Sequence, residues 1–268
     1  MPKVIIPTDT IFGVKIEGAM ERVFKKLEEK ERAEAEAERK NSIVIPNENL
    51  QFITDKKLYD EIIKYFTRTF PNNKKTFPAN LSFDKVMKGS NPYIAVAVDM
   101  YLKSINFPYR IATQRDLEAN LKMFREFYED TGLALRSLKE PNTNQAKYLY
   151  NQLKQRDSNI KLPIWIDLHG LILDNNLNFN LTDESRYKTA DCLNWESGAH
   201  YSEIDDFGLP KSKDANSNRQ IWTTKDGLSG ACLGRNSYLD SLISNLSGSN
   251  DNDRVVLAKV KEAKDEKH

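Results

Sequence analysis

The second half of the chain most constrains the fold, because its apolar residues come in short segments separated by long polar connections. Segments such as "LPIWIDLHGLIL", "IWTT" and "RVVLAKV" have the length of strands rather than of buried helices. The first half instead carries apolar residues at helical spacing. The sequence therefore predicts an α+β fold. Because it contains no internal repeat and no Pro- or Ser-rich linker, we expect a single elaborated domain.

Several individual elements can be predicted. "TDKKLYDEIIKYFTRTF" indicates a helix with a Thr-Asp cap, and "NPYIAVAVDMYLKSINF" is compatible with a buried helix that starts after Pro92 or with a strand. "TQRDLEANLKMFREFYEDTG" predicts a long helix from a cap at Thr113 to Gly132. "LPIWIDLHGLIL" predicts a pair of strands with Gly170 near the turn.

The first 46 residues contain a strongly charged segment. "KVIIPTDTIFGV" predicts a strand interrupted by a turn, and "SIVIP" predicts a short strand. Between them, residues 18–40 are rich in helix formers, but their second half has only alanines among the charges. A solvated helix is the favoured interpretation, and a helical contact between subunits is the alternative.

Composition and charge exclude several classes of protein. The formal net charge of +1 gives no broad attraction for nucleic acid or an anionic membrane. The chain has no run of about twenty apolar residues, so we expect no membrane span. Its start lacks the features of a signal peptide, and two cysteines are too few for a disulfide framework. The sequence therefore predicts a soluble protein that is cytoplasmic or virion-associated.

Residues with catalytic or metal-binding chemistry are sparse. His169 follows a strand-like segment and is interpreted as a structural histidine at a turn, and neither it nor His200 lies in a metal-binding motif. Cys192 and Cys232 are interpreted as small buried apolar residues. The acids of "DESRYKTADCLNWESG" match no calcium loop, and solvated acids are the favoured interpretation. We predict no catalytic residue, no metal site and no cofactor.

Four stretches resemble one protein family when they are taken in chain order. They are "KVIIPTDTIFGV", "YIAVAVDMYLKSINF", "FPYRIATQRDLEANLKMF" and the closing "IWTTKDGLSGACLG" with "DRVVLAK". Together they resemble the formylglycine-generating-enzyme branch of the C-type lectin fold, in which a short strand leads through a Thr cap into a helix. The resemblance implies a C-type lectin-like domain over residues 1–262, with residues 18–40 as an inserted charged helix and 263–268 as a charged tail.

The chain departs from this branch where the enzymes carry their chemistry. "LGRNSY" stands where the branch has a Gly-Gly-Ser-Trp core, and no paired active-site cysteines or iron-binding histidines match. In this respect the chain resembles the variable proteins of diversity-generating retroelements, which share the fold and occur in phages, bacteria, archaea and archaeal viruses. In that family a reverse transcriptase introduces errors at adenines into the 3′ end of the gene, and Asn codons are the usual targets.

The residue types of the C-terminal segment agree with this second resemblance. Mutation of Asn codons at adenines cannot produce Lys, Glu, Gln, Met or Trp, and none of these five types occurs from Asp226 to Ala258. The same five types make up about a fifth of the whole chain, which is near average usage. An ordinary loop rich in Asn and Ser is also compatible with their absence. The resemblance implies that residues 226–258 are the variable region.

Within that segment we predict two kinds of residue and expect the connections between them to lack regular structure. The residues predicted to anchor it to the core are Leu228, Leu233, Leu239, Leu246, Val255, Val256 and Leu257. The residues predicted to contact a ligand are Arg235, Asn236, Tyr238, Asp240, Leu242, Ile243, Asn245, Asn250 and Asn252. Arg235 and Tyr238 are expected to contribute most to binding, because these residue types dominate interface energies. For Leu242 and Ile243, a place in the core is the alternative.

The sequence thus predicts a non-enzymatic binding protein whose partner is a protein or cell-surface ligand and not nucleic acid. Two alternatives stay open. One is a divergent enzyme of the formylglycine-generating type, which requires a redox-active cysteine or bound copper or iron. The other is a structural or assembly protein that oligomerises through residues 18–40.

Overall fold

The computed structural model describes residues 49–121, 127–136, 143–223, 227–234 and 238–260, together with the backbone of residues 10–11 and 14–15. The chain divides into two compact units, Met1–Ile45 and Pro46–His268. In the first unit, strand β1 (Thr10–Ile11) pairs antiparallel with β2 (Val14–Lys15). The predicted helix at 18–40, the "SIVIP" strand and the tail at 263–268 lie outside the described residues, and the predicted domain bounds stay a prediction.

Helices and strands are mixed in the second unit. Its α-helices are α1 (Lys56–Thr69), α2 (Pro92–Ser104), α3 (Gln114–Glu118) and α4 (Asn144–Arg156). Its strands are β3 (Leu50–Phe52), β4 (Ser82–Asp84), β5 (Val86–Lys88), β6 (Tyr109–Ile111), β7 (Tyr128–Arg136), β8 (Ile164–Asp167), β9 (Leu171–Leu173), β10 (Phe179–Leu181), β11 (Tyr187–Thr189), β12 (Ala199–His200), β13 (Gln220–Thr223), β14 (Gly227–Leu233), β15 (Leu239–Ile243), β16 (Asp253–Arg254) and β17 (Val256–Lys259). The main sheet curls into a half-barrel. The fold is α+β, as the sequence predicted.

The first two of these helices begin at capping side chains. The Asp55 carboxylate accepts a hydrogen bond from the backbone N–H of Lys57 at the start of α1, and Asn91 accepts one from Ile94 at the start of α2. The apolar run after Pro92 is therefore a helix rather than a strand. It is buried on nearly every side, which explains why its sequence shows no clear apolar stripe.

The long helix predicted from Thr113 to Gly132 is wrong. Thr113 and Asp116 do form a capping box, but α3 ends at Glu118, and residues 128–136 form strand β7. Gly132 lies within that strand, where an added Cβ would be 2.2 Å from the Trp165 ring. Pairing of β7 with β8 and β14 overrides the local helical spacing, which is a weak preference by comparison.

The main sheet has eight strands in the order β11-β8-β7-β14-β15-β13-β12, with β16 beside β7. The predicted strand pair around Gly170 is only half correct. β8 and β9 both exist, and Gly170 lies between them with φ +83°. However, β8 pairs with β7 and β11, whereas β9 pairs with β10. The chain leaves the main sheet at Gly170, where an added Cβ would be 2.7 Å from the Glu184 carbonyl oxygen.

A second sheet joins the two ends of the described unit. Its order is β3-β17-β6, so the last strand lies between the first one and the strand that follows α2. Leu50, Phe52 and Val256 of this sheet share a core cluster with Leu117 of α3 and Leu233 of β14. The C-terminal segment is thereby tied to both sheets.

The main sheet is buried on both faces over most of its area. On one face, Leu133 and Ile164 pack with the apolar sides of α1, α2 and α4. On the other face, Trp165, Leu239 and Tyr201 share a cluster with the chain around residues 190–209. Exposed parts of the sheet are consequently few, and the part that α2 leaves uncovered contains the candidate site.

The connections within residues 226–258 were expected to lack regular structure, and that prediction is wrong. This segment contains β14, β15 and β16 and the start of β17. In β15, Leu239 and Ser241 are buried, whereas Asp240 is half-buried and Leu242 is exposed. This is the alternation of a strand.

Candidate ligand-binding groove

Four side chains form a row across the main sheet near the N-terminal end of α2. Trp222 of β13 pairs with Asp240 of β15, and Asp240 pairs with Cys232 of β14. Cys232 in turn pairs with Asp130 of β7. Directly paired residues project from the same face of a sheet, so these four side chains share one surface.

A groove with a volume of about 480 Å³ follows this row. Its lining residues are Tyr128, Asp130, Cys232, Asp240, Leu242, Ile243, Ser244, Asn245, Gly248, Ser249, Asn250 and Asp253. All of them except Tyr128 and Asp130 come from residues 226–258. The volume lies within the range of about 300–1,000 Å³ that is usual for ligand sites.

One wall of the groove is the loop 244–252, which hydrogen bonds hold in place. The Ser249 hydroxyl accepts a bond from the backbone N–H of Ser90 at 3.0 Å. Asn91 donates through Nδ2 to the carbonyl of Ser247 at 3.2 Å. Leu246 is buried in the same core cluster as the helices. The loop is therefore an anchored wall, on which exposed side chains can be presented at fixed positions.

Aromatic rings flank the row at two places. The Tyr128 ring lies against Gly234, where an added Cβ would be 2.9 Å from the ring. The Tyr238 and Trp222 rings meet edge to face, with centroids 6.3 Å apart. Rings of this kind supply large contact areas at a small cost in conformational entropy.

The floor of the groove is acidic. Burial raises the pKa of Asp130 to about 7, although a hydrogen bond from the Ser90 hydroxyl at 2.6 Å acts in the opposite direction. Burial likewise raises the pKa of Asp253 to about 6, and it raises that of Asp240. No lining residue is Lys, Arg or His. A ligand that brings a cation would therefore relieve the cost of these desolvated carboxylates.

A buried acid and a buried base support the floor from below. The Arg254 guanidinium stacks over the Phe127 ring at 4.9 Å and donates through Nη1 to the carbonyls of Asp251 and Asp253. Glu129 is 2 % exposed, and desolvation raises its pKa well above the usual range. These groups fix the end of the loop against β7, which is what a rigid binding surface requires.

The predicted ligand-contacting residues divide into three sets. Asp240, Leu242, Ile243, Asn245 and Asn250 line the groove. Tyr238 lies beside it against Trp222, and Asn252 is exposed outside it. Arg235 and Asn236 lie outside the described residues. Of the two residues for which a core position was the alternative, Leu242 is 42 % exposed and Ile243 is half-buried.

The predicted anchors are mostly inside the protein. Leu233, Leu239, Leu246, Val255, Val256 and Leu257 are buried, with at most 7 % of any of them exposed. Leu228 is half-buried against the helix-side core. The predicted anchors therefore hold the segment to the core clusters on both faces of the main sheet.

Sequence reasoning missed the acidic floor. Asp130 and Tyr128 lie on β7, which was predicted as the end of a helix, and Asp253 was not singled out. No signal in the sequence could have found them, since residues 128–135 do not alternate between apolar and polar types.

The other candidates for chemistry are dispersed. Cys192 and Cys232 are free and buried, and desolvation raises the pKa of Cys192 to about 12 and that of Cys232 well above its usual range. Both thiols are therefore protonated at neutral pH. Glu184 and Glu196 form exposed ion pairs with Lys103 and Lys213. Within the ranges that the structure describes, no cluster of three or more His, Cys, Asp or Glu side chains is arranged to hold a metal ion.

Two further findings bear on the class of protein. Among the residues that the structure describes, no helix has the length and apolar character needed to cross a membrane. The chain matches no protein-family model, no curated protein and no solved structure.

Proposed function

We propose that the protein is a non-enzymatic ligand-binding protein with a C-type lectin fold and that the groove binds a protein or cell-surface ligand. We further infer that it is a variable protein of a diversity-generating retroelement. The observation that carries the proposal is the coincidence of two independent features. Residues 226–258 lack the five residue types that adenine mutagenesis of Asn codons cannot make, and the same residues supply nearly the whole lining of the groove.

Local structures add support for the fold part of the proposal. The resemblance implied a short strand that leads through a Thr cap into a helix, and β6, Thr113 and α3 have this arrangement. It implied a helix just upstream, where α2 lies. It implied closing strands, where β13, β14 and β17 lie.

The chemistry of the groove indicates what the ligand presents to it. The floor has three half-buried or buried carboxyl groups, and the rim has the Tyr128 ring and the exposed Leu242 side chain. An Arg or Lys side chain with apolar neighbours complements such a site, since a desolvated carboxylate binds a guanidinium through charge-assisted hydrogen bonds. We therefore expect a protein ligand with a basic residue at the centre of its epitope.

The enzyme alternative is disfavoured by the state of the cysteines. A thiol nucleophile or redox centre needs an accessible thiolate, and Cys192 and Cys232 are each 3 % exposed with raised pKa values. Thiol titration of the folded protein checks this point. Rapid modification of either cysteine by a thiol reagent before unfolding would favour the enzyme.

The retroelement part is tested by sequencing the DNA next to the 3′ end of the gene. The expected result is a non-coding repeat of the codons for Gly227–Leu257 that differs from the gene where the repeat has adenine. A reverse-transcriptase gene should lie nearby. Absence of both from the flanking DNA would refute the retroelement assignment and leave only the proposal that the groove binds a ligand.

The binding part is tested by panning a random peptide library on the immobilised protein. Peptides enriched on the wild-type protein are expected to contain Arg or Lys and to lose binding to Asp240→Asn. Asp206→Asn, which changes an exposed carboxylate elsewhere, is the matched control and should retain the same peptides. Enrichment of acidic peptides, or equal binding to both variants, would contradict the proposed chemistry.

A further inference from the structure

A second cavity lies apart from the groove, at the opposite end of α2. Its volume is about 490 Å³, and residues from the C-terminal end of α2, from β6, from the turn before Gly170 and from the end of β17 line it. None of these residues lines the groove, so a ligand here is independent of the function proposed above.

A buried aspartate fixes a histidine at the wall of this cavity. Asp99 is 6 % exposed, and its carboxylate accepts hydrogen bonds from the backbone N–H groups of Ile111 at 3.0 Å and Gly170 at 3.2 Å. The third contact is with His169, whose Nδ1 lies 2.8 Å from Asp99 Oδ2. An acid that accepts at Nδ1 sets the orientation of an imidazole ring and leaves Nε2 as the atom available to a ligand.

The second internal histidine provides a contrast. Both ring nitrogens of His200 have partners, since Nδ1 bonds with the Ser217 carbonyl and Nε2 lies 2.8 Å from Gln220 Nε2. Within the described part of the chain, His169 has a partner at Nδ1 alone. His169 differs from His200 in that it lines a cavity and its Nε2 has no partner among the described residues.

Two cationic and two anionic side chains line the cavity together with His169. Arg110 lines the cavity and pairs with Asp116 at 2.7 Å, so each of these two charges compensates the other. Lys103 also lines it and pairs with Glu184 at 2.7 Å, but both side chains of this pair are more than half exposed. An exposed ion pair contributes little to stability, so Lys103 can exchange Glu184 for a ligand.

The remaining wall is apolar. The Phe107 and Tyr109 rings lie with their centroids 5.9 Å apart, and Val260 is 46 % exposed beside them. Sites for small molecules combine such a wall with a few oriented polar groups.

We propose that this cavity binds a small organic acid with a flat apolar body. The ligand binds the doubly protonated His169 ring, which donates through Nδ1 to Asp99 and through Nε2 to the ligand carboxylate. Lys103 donates to the same carboxylate, and the body packs against Phe107, Tyr109 and Val260.

The test is calorimetric titration of the full-length protein with benzoate as the probe. Benzyl alcohol has the same body without the charge, and inorganic phosphate has charge without the body. We expect saturable binding of benzoate that is at least about tenfold tighter than that of either comparator.

His169→Asn is the decisive variant, because the Asn amide keeps a donor for Asp99 in place of Nδ1 and removes only Nε2. It should weaken benzoate binding at least about tenfold while its melting temperature stays near that of wild type. His200→Asn and the groove variant Asp240→Asn should leave benzoate binding unchanged.

Three results would overturn the proposal. They are the absence of saturable benzoate binding, equal binding to His169→Asn, and phosphate or benzyl alcohol that binds as tightly as benzoate. Because the groove variant is included, a failure at this cavity is distinguishable from a failure of the proposed groove function.

Discussion

The two sides of strand β15 are opposite environments in one five-residue element. On one side, Leu239 and Ser241 are fully buried, and Ser241 accepts a hydrogen bond from the buried Arg136 guanidinium at 2.9 Å. On the other side, Asp240 and Leu242 line the groove, and Leu242 is 42 % exposed. A substitution on the first side would therefore disturb the core, whereas one on the second side would change the groove surface.

This difference explains why side chains on one side of a strand can be substituted without loss of stability. The hydrogen bonds of a strand are made by the backbone, and the buried side chains keep the strand in register. Side chains on the groove side contribute to neither. If the comparison is correct, stability should depend on one side of the strand and binding on the other.

The largest effect is expected for Leu239→Ala. Leu239 is 0 % exposed, so the truncation should lower the free energy of unfolding by about 3 kcal/mol. Leu242→Ala removes the same atoms from the same strand and should change it by less than about 0.5 kcal/mol. Denaturant unfolding of the two variants measures both values, and similar losses would break the comparison.

A glycine that faces the core and one that faces the groove should likewise differ in the stability lost when a methyl group is added. Gly132→Ala places a Cβ 2.2 Å from the fully buried Trp165 ring, which has no room to move, and should cost about 2 kcal/mol. Gly234→Ala places one 2.9 Å from the half-buried Tyr128 ring, which can rotate into the groove, and should cost less than about 1 kcal/mol. Thermal melts rank the pair, and a more damaging Gly234→Ala would show that the groove is as rigid as the core.

Burial of Asp130 makes the free energy of unfolding depend on pH. Its folded pKa of about 7 lies above the ordinary aspartate value, so between about pH 4 and 7 the folded protein holds a proton that the unfolded chain releases. Stability therefore falls as the pH rises through this window. Asp130→Asn cannot ionise and should be about 1–3 kcal/mol more stable than wild type at pH 8.

The control for this prediction is Asp251→Asn, which removes an exposed carboxylate from the groove-wall loop 244–252. Unfolding measured from pH 4 to 8 should show a smaller slope for Asp130→Asn and an unchanged slope for Asp251→Asn. Parallel curves for wild type and Asp130→Asn would mean that Asp130 is solvated.

The smallest effect on stability is expected when groove residues change together. A library randomised at Asp240, Leu242, Asn245 and Asn250 should contain mostly folded members, because these residues are half-buried or exposed. A matched library at Leu239, Ser241, Leu246 and Val256 should contain few. Pulse proteolysis of both libraries counts the survivors. Equal survival would show that the two sides of the segment do not differ in tolerance.

The helix caps and most buried residues of the C-terminal segment could be predicted from local sequence patterns. The caps at Asp55 and Thr113 are short-range hydrogen bonds, so the sequence contains them completely. The buried leucines and valines of the C-terminal segment were recognisable as apolar residues in a polar background. Three polar residues expected to contact a ligand, Asp240, Asn245 and Asn250, do line the groove, since polar residues between anchors tend to face outward.

The sequence by itself determined the class of the fold, the caps at Asp55 and Thr113 and most of the buried anchors of residues 226–258. Only the tertiary structure decided that β7 is a strand, that it lies beside β14, and that Asp130 is therefore the floor of the groove. The physical reason is the distance along the chain between the partners. Strand pairing is set by contacts between remote segments, and these outweighed the local helical spacing that precedes Tyr128.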